Sequence, residues 1–368
     1  MTDTVYMQMA LKLAEKGCGF VNPNPMVGAV IVKQGEIIGK GYHEKYGQLH
    51  AERNALAGCS KSPKGATMYV TLEPCCHYGK TPPCTAAIIE SGITRVVIGA
   101  KDPNPLVAGN GVKLLLQNGI EVVEGVLEEE CSRLNEVFFH YIQTKTPFVV
   151  MKYAMTTDGK IATCTGKSKW ITGETARQNV HKDRHRYAAI MVGVDTVIAD
   201  DPLLTCRMEG GRNPVRIICD TNLRTPLNSQ IVATARNILT YIATACTEAQ
   251  KQQPFLDAGC KLLCVSKKDG RINLSELMLK LAKEAIDSIL LEGGATLNYS
   301  ALESAIVNKV QAYIAQKLFG GKDAKSPVAG LGVESPDEAF FLTNHKIRLL
   351  GEDILIESEV IKRVYGNC

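Results

Sequence analysis

The sequence predicts an α/β fold in two domains, and three observations carry that expectation. The chain has 368 residues, too many for one compact core of ordinary size. Short β-branched and apolar runs alternate with stretches of helical period from end to end. Hydrophobic residues make up 45% and charged residues 22%, the proportions of a globular chain, which excludes wholesale disorder.

The elements follow in order. Val5, Met9 and Leu13 recur at i, i+4 spacing and mark one face of an opening helix. Strands are expected at Ala29–Val32, Ile37–Gly41, Met68–Leu72, Arg95–Ala100 and Ile120–Val123, with helices at His50–Ala57, Cys84–Glu90 and Gly111–Gln117. One long helix is expected over Glu128–Gln143. It ends at Thr144–Pro147, where proline cannot continue it, and apolar patterning restarts as a strand at Phe148–Tyr153. The domain boundary therefore falls near residue 146, giving domains 1–146 and 147–368. In the second domain Ala188–Val192, Val215–Asp220, Ile238–Ala243, Lys261–Val265 and Ser288–Glu292 read as buried strands. Leu274–Ala285 and Thr296–Ile306 read as helices, and Val310–Leu318 with Ile354–Ile361 as late strands.

Charge narrows the partners. Lys and Arg number 42 against 38 Asp and Glu, a net charge of +4, so a dominant nucleic-acid stripe is not expected. Residues 1–146 carry 14 basic and 14 acidic side chains, leaving 28 and 24 for the remainder, so attraction for phosphate belongs to the second domain. Thirteen cysteines in a long chain, an odd count, suggest free thiols in a reducing cytoplasm rather than a disulfide framework. No apolar run approaches the roughly 18 residues of a bilayer span. Asp3, Lys12, Glu15 and Lys16 interrupt anything like a secretory signal. No membrane partner is expected.

The most informative segment is His50-Ala51-Glu52, followed by Glu73-Pro74-Cys75-Cys76-His77 and Pro82-Pro83-Cys84. A catalytic zinc needs three protein ligands and one open position for water. His50, Cys75 and Cys84 would supply one imidazole and two thiolates, and the helix starts at His50 and Cys84 favour thiolate forms. Glu52 lies close enough to reach the bound water without being a ligand and to carry its proton to the leaving amine. The pattern matches the His-x-Glu…Pro-Cys signature of zinc-dependent base deaminases, except that eight residues separate Cys75 from Cys84 where Cys-x-x-Cys is usual. Cys76 and His77 remain competing ligands. A Pro-Cys-Cys-His cluster alone would also suit a structural zinc or a turn with buried thiols. A structural site is closed, however, and has no use for Glu52. Asn24, in Asn22-Pro23-Asn24-Pro25, reads either as a turn former or as a substrate hydrogen-bonder facing the metal.

The run Pro74-Cys75-Cys76-His77-Tyr78-Gly79-Lys80-Thr81-Pro82-Pro83-Cys84, with Asp102-Pro103-Asn104-Pro105-Leu106-Val107-Ala108-Gly109, closely resembles the bifunctional deaminase/reductase family of riboflavin biosynthesis. That family carries its zinc cysteines on such a loop, and the position of Cys76 is often serine there, which implies that Cys76 is not a ligand. The resemblance extends to Lys152–Lys160, Ser168–Thr172, Val192–Pro202 and Leu291–Leu297, about the whole chain. It implies a cytidine-deaminase-like three-layer domain followed by a dihydrofolate-reductase-like domain. It implies one zinc per chain, NADPH, a phosphoribosylaminopyrimidine substrate and a homo-oligomer. Ser168, Arg184, Leu204, Arg207 and Glu292 are implied as substrate contacts. Ala154, Trp170, Thr196, Asp200, Thr221 and the stretch Gly294, Ala295, Thr296, Leu297, Asn298, Tyr299 and Ser300 are implied to line the cofactor.

Physical reading supports parts of that set. A buried strand ending at Glu292, two glycines and a helix start suit a pyrophosphate, although Gly-Gly between strand and helix is alone more often a plain turn. No Gly-x-Gly-x-x-Gly follows an early strand, so a Rossmann fingerprint is absent. Between Lys152 and Arg186 there are eight Lys or Arg and three Asp or Glu, and an arginine fork suits a phosphate. No obvious general acid stands out in this domain, so positioning is expected to dominate, with Lys152 or Asp200 as helpers. Two other readings compete. A nucleic-acid base deaminase would show a basic groove with stacking aromatics in the first domain, which is neutral and lacks tryptophan. A non-catalytic zinc-stabilised nucleotide-binding module would close its zinc with a fourth ligand such as His77.

Overall fold

The computed structural model describes residues 2–78, 82–105 and 107–361. Gly79, Lys80, Thr81 and Leu106 of the loop motifs lie outside the described residues. The chain divides into two compact units, one ending at Lys145 and the other beginning at Thr146. Among the described residues no helix is long and apolar enough to cross a membrane.

The first unit runs α1 (Asp3–Ala14), β1 (Gly28–Lys33), β2 (Glu36–Tyr42), α2 (Ala51–Ala57), β3 (Thr67–Leu72), α3 (Cys84–Glu90), β4 (Arg95–Ala100), α4 (Asn110–Gln117), β5 (Glu121–Val123), α5 (Glu128–Leu134) and α6 (Glu136–Thr144). Its sheet has the order β2-β1-β3-β4-β5, with β1 antiparallel to β2 and β3, and β3, β4 and β5 parallel. Strands β1, β3 and β4 are buried along almost every residue, as strands covered on both faces are. Helix α2 lies flush on β2 because Gly41 leaves room: a Cβ there would stand 2.3 Å from the backbone nitrogen of Ala55 and 2.5 Å from the carbonyl of Ala51. That close approach fixes the helix start that carries His50 and Glu52.

The long helix expected over Glu128–Gln143 is two helices. Asn135 breaks it at φ −104°, ψ 20°. Its buried side chain accepts from the Met26 backbone N–H at 2.8 Å and donates to the Met26 carbonyl at 2.9 Å. The break thus anchors the loop that holds Asn24.

The second unit contains β6 (Phe148–Thr156), α7 (Glu174–Arg186), β7 (Ala189–Gly193), α8 (Val194–Asp200), β8 (Val215–Cys219), α9 (Gln230–Ala233), β9 (Thr240–Thr244), α10 (Ala249–Asp257), β10 (Lys261–Cys264), the short β11 (Lys267–Lys268) and β12 (Arg271–Ile272), α11 (Leu274–Lys283), β13 (Ser288–Leu291), α12 (Ala295–Glu303), β14 (Val307–Ala315), β15 (Leu342–Leu350) and β16 (Asp353–Val360). Its nine-stranded sheet has the order β10-β9-β8-β7-β13-β6-β14-β16-β15. It is parallel from β10 to β14 and antiparallel at β16 and β15. The carboxyl ends of β6, β7, β8, β13 and β14 therefore open on one side, where ligands of such sheets bind. Helix α7 escapes an apolar-stripe reading because two of its four buried residues, Asp183 and His185, are polar.

Candidate active sites

In the first unit the site forms where α2 and α3 start. His50 caps α2, and Cys84 opens α3 after Pro83. Arg53 ties the two starts together by donating to the carbonyls of Pro82 (3.2 Å) and Pro83 (2.9 Å). The Cys84 backbone N–H points at Cys75 Sγ, 3.4 Å away, and Thr85 donates through its N–H and hydroxyl to the Cys75 carbonyl. His50 Nδ1 lies 3.6 Å from Cys75 Sγ and 3.4 Å from Cys84 Sγ, and the three donor atoms fall within 4.8 Å of one another. Donors bound tetrahedrally to zinc at about 2.0–2.3 Å stand about 3.6 Å apart, so the trio fits that ion. Among the described residues Cys76 and His77 are not part of the cluster.

Electrostatics match the geometry. Hydrogen bonding with Cys84 lowers the Cys75 thiol, burial opposes, and His50 lowers it further, to about 4. Cys84 moves up, held protonated by Cys75 and by burial, and a cation between the two sulfurs would displace that proton. Glu52 is 3% exposed, and burial with the nearby Cys75 raises its carboxyl above the ordinary range. It faces a cavity of about 280 Å³ that also touches Asn24, His43, His50, Glu73, Cys75, His77, Asp102 and Asn104. No Lys or Arg is among the described residues that line it.

In the second unit the expected residues gather at the carboxyl ends of the parallel strands. Glu292, just past β13, accepts from Arg184 Nε at 2.7 Å and Nη2 at 3.0 Å, and Lys152 Nζ on β6 stands 3.7 Å away. Burial raises the Glu292 carboxyl, but Arg184 and Lys152 outweigh it and hold it at about 2. Arg184 Nη1 also donates to the Thr205 carbonyl at 3.0 Å, so this guanidinium braces the loop carrying Leu204 and Arg207. Leu204 is buried, and Arg207 is exposed with its Nε 3.2 Å from His181 Nε2.

Ser168 donates to Asp200 at 3.4 Å, joining a substrate candidate to a cofactor candidate. Thr196 sits in the first turn of α8, its hydroxyl 3.5 Å from where a Cβ on Gly294 would lie. Gly294 caps α12 and, having no side chain, makes no cap bond to the N–H groups at that end. At Gly293 a Cβ would meet Leu297 Cδ2 at 2.7 Å, so a side chain there would have to displace that leucine. These features suit a pyrophosphate against the backbone. Thr296 lies in the first turn of α12, directly after Ala295. Asn298 and Tyr299 turn inward, donating to the carbonyls of Pro327 and Gly332, so they would serve a cofactor through the backbone. Trp170 is 59% exposed, with the Arg177 guanidinium 4.8 Å over its ring. Ala154 is half-buried on β6, and Thr221 follows the end of β8.

Comparison with known proteins decides the family. The cytidine and deoxycytidylate deaminase zinc-binding region matches residues 1–100, and the RibD C-terminal domain matches residues 147–356. The riboflavin biosynthesis protein RibD of Actinobacillus pleuropneumoniae is 57% identical over 361 residues, covering 98% of this chain and 96% of that one. The chain belongs to the RibD family. A solved RibD of Acinetobacter baumannii superposes with a TM-score of 0.88 at 36% identity, covering 98% of this chain and 99% of that one. The diaminohydroxyphosphoribosylaminopyrimidine deaminase/5-amino-6-(5-phosphoribosylamino)uracil reductase of Thermotoga maritima gives 0.87 at 40% identity with the same coverage. The chain is thus a bifunctional enzyme of riboflavin biosynthesis, a deaminase and a reductase with zinc and NADPH as cofactors. Its fold is that of a cytidine-deaminase-like domain followed by a dihydrofolate-reductase-like one.

Sequence reasoning missed several groups that shape these candidate sites. His43 places its Nδ1 3.0 Å from the Leu49 carbonyl, so its Nε2 accepts from Asn24 Nδ2 at 3.3 Å; burial keeps the ring neutral. Glu73 is buried and accepts the backbone N–H groups of Asp102, Gly109, Gly111 and Val112 at 3.1–3.4 Å, fastening the loop across the cavity. His181, three residues before Arg184 on α7, meets Arg207; that helical spacing is the signal that could have found it.

Proposed function

We propose that residues 1–146 deaminate 2,5-diamino-6-(5-phosphoribosylamino)pyrimidin-4-one and that residues 147–368 then reduce 5-amino-6-(5-phosphoribosylamino)uracil to its ribityl form. The observation that carries the first step is the His50–Cys75–Cys84 trio with Glu52 on one cavity wall. His50, Cys75 and Cys84 hold zinc, and Cys76 stands aside. A zinc held by these three residues would supply a water acidic enough to attack at neutral pH. Glu52, buried and raised, is placed to accept water protons and to return one to the ring nitrogen and one to the departing amine, so that the C–N bond would be exchanged for C=O and ammonia released. Asn24, held by His43, hydrogen-bonds the pyrimidine.

In the reductase domain NADPH supplies the reducing equivalents. Gly294 to Ser300 receive its pyrophosphate, with Ala154, Trp170, Thr196, Asp200 and Thr221 along its length. Arg207 meets the substrate phosphate, and Ser168 and Leu204 complete that pocket. Arg184 and Glu292 form a locked pair that orients the Thr205 carbonyl and the Lys152 ammonium beside the opened ribose. Hydride transfer in this arrangement rests on positioning. The enzyme works in the cytoplasm as a homo-oligomer. Two features favour this: the twelve cysteines among the described residues are all free thiols, and β15 leaves an open edge with Ile347 and Leu349 largely exposed.

The test follows ammonia release from the diamino substrate by the purified chain with and without zinc, and NADPH absorbance on the deaminated product. Zinc-dependent ammonia release together with NADPH oxidation is the expected result. Ammonia release that survives complete removal of zinc would contradict the deaminase assignment.

A further inference from the structure

The hairpin β11–β12 carries a cluster of cations that neither catalytic step uses. Its turn is Asp269-Gly270, both at positive φ (50° and 75°), the conformation a two-residue hairpin requires. Lys268 consequently pairs with Arg271, and Lys267 with Ile272. Ile272 is buried in the core of the second unit and anchors the ribbon, while Lys267, Lys268 and Arg271 are exposed.

Two of these cations reach different elements that carry cofactor candidates. Lys267 Nζ stands 3.5 Å from Asn222 Oδ1, one residue beyond Thr221 at the end of β8. Arg271 Nη1 donates at 3.0 Å to Ser300 Oγ on α12. A dinucleotide with its pyrophosphate at the start of α12 and its far end at Thr221 would run its adenosine between Ser300 and Asn222, the two residues these cations contact. The neighbouring acid Glu276 does not neutralise these cations. It accepts from the Ser266 N–H and hydroxyl at 2.8 and 2.6 Å and pairs with Lys280 at 2.9 Å. The remaining acid on the ribbon is Asp269, at its tip.

We propose that this hairpin is the subsite for the adenosine 2′-phosphate of NADPH, and that Lys267 and Arg271 make the enzyme choose NADPH over NADH. The proposal rests on the reductase reading of residues 147–368. The 2′-phosphate is the one group that distinguishes the two cofactors. An arginine fork with a lysine point charge suits its oxygens, and NADH offers nothing for either cation to hold.

The test measures equilibrium binding to the full-length protein by calorimetry, with NADPH, NADH, adenosine 2′,5′-bisphosphate and adenosine 5′-monophosphate as ligands. Replacing both cations (K267Q with R271Q) is expected to weaken NADPH and the bisphosphate by about tenfold or more, since each charge-assisted bond contributes on that order. NADH and the monophosphate should stay within about twofold of the parent, which also certifies the fold of the variant. NADPH binding within about twofold of the parent, or an equal loss for NADH, would overturn the proposal. Failure of the unaltered protein to bind NADPH at all would instead sink the reductase reading.

Discussion

The two active sites are built on opposite plans. The proposed deaminase site is a set of candidate metal ligands and a carboxylate around a cavity with no described Lys or Arg on its walls, and its groups come from two short stretches around His50 and Cys75–Cys84. The proposed reductase site is an ion-paired shelf assembled from Lys152 on β6, Arg184 on α7, the loop at Arg207 and Glu292 after β13, and those residues span most of a domain. A site that does proton chemistry at one carbon can be written in a compact motif. One that holds a long cofactor and a sugar phosphate needs contacts at the ends of many strands. The uneven charge of the chain follows the same division.

The sharpest way to break this comparison is Glu52→Gln. The variant should lose ammonia release by a factor of about 10²–10⁴ while retaining one zinc and keeping NADPH-dependent reduction near the parent rate, measured on the two substrates separately. Persistent deamination would remove Glu52 from its proton-carrying role. Arg184→Met comes next. It leaves the buried Glu292 carboxylate with Lys152 at 3.7 Å as a weaker partner, so the second unit should lose up to about 3–5 kcal/mol, read by hydrogen exchange in β6 and β13, with exchange in the first unit unchanged. Removing zinc should do the reverse, raising exchange around α2 and α3 and leaving β13 untouched.

How far these plans are legible in sequence differs accordingly. His50, Glu52, Cys75 and Cys84 stand out because metal chemistry demands those residue types in order. The supporting groups do not, since Glu73 and Asn135 act by bonding backbone groups far away in the chain, and nothing local marks them. In the second unit the parallel strands show as apolar runs, but α7 stays hidden because its inward face includes Asp183 and His185. Arg184 and Glu292, 108 positions apart, pair only through the sheet order, so resemblance rather than pattern brought them together.

Two carboxylates of the second unit sharpen the comparison through pH. Glu292 is depressed to about 2 from an ordinary 4.5. Its contribution, roughly 3 kcal/mol, is therefore present above pH 4.5 and lost as pH falls toward 2. Asp183 is raised by burial from 3.8 to about 6. Its penalty grows as pH rises through that interval and is complete above it. Asp183→Asn should thus stabilise the unit at pH 7–8 by roughly 1–3 kcal/mol and change little near pH 4, measured by urea midpoints.

The central claim, that two separate sites act in a fixed order on one substrate, is tested most directly by mixing. Neither Glu52→Gln nor Glu292→Gln alone should turn the diamino substrate into the ribityl product. The two variants combined should restore matched ammonia release and NADPH consumption, with ammonia appearing first. NADPH oxidation by the Glu52→Gln variant acting alone on the diamino substrate, without ammonia, would contradict the account.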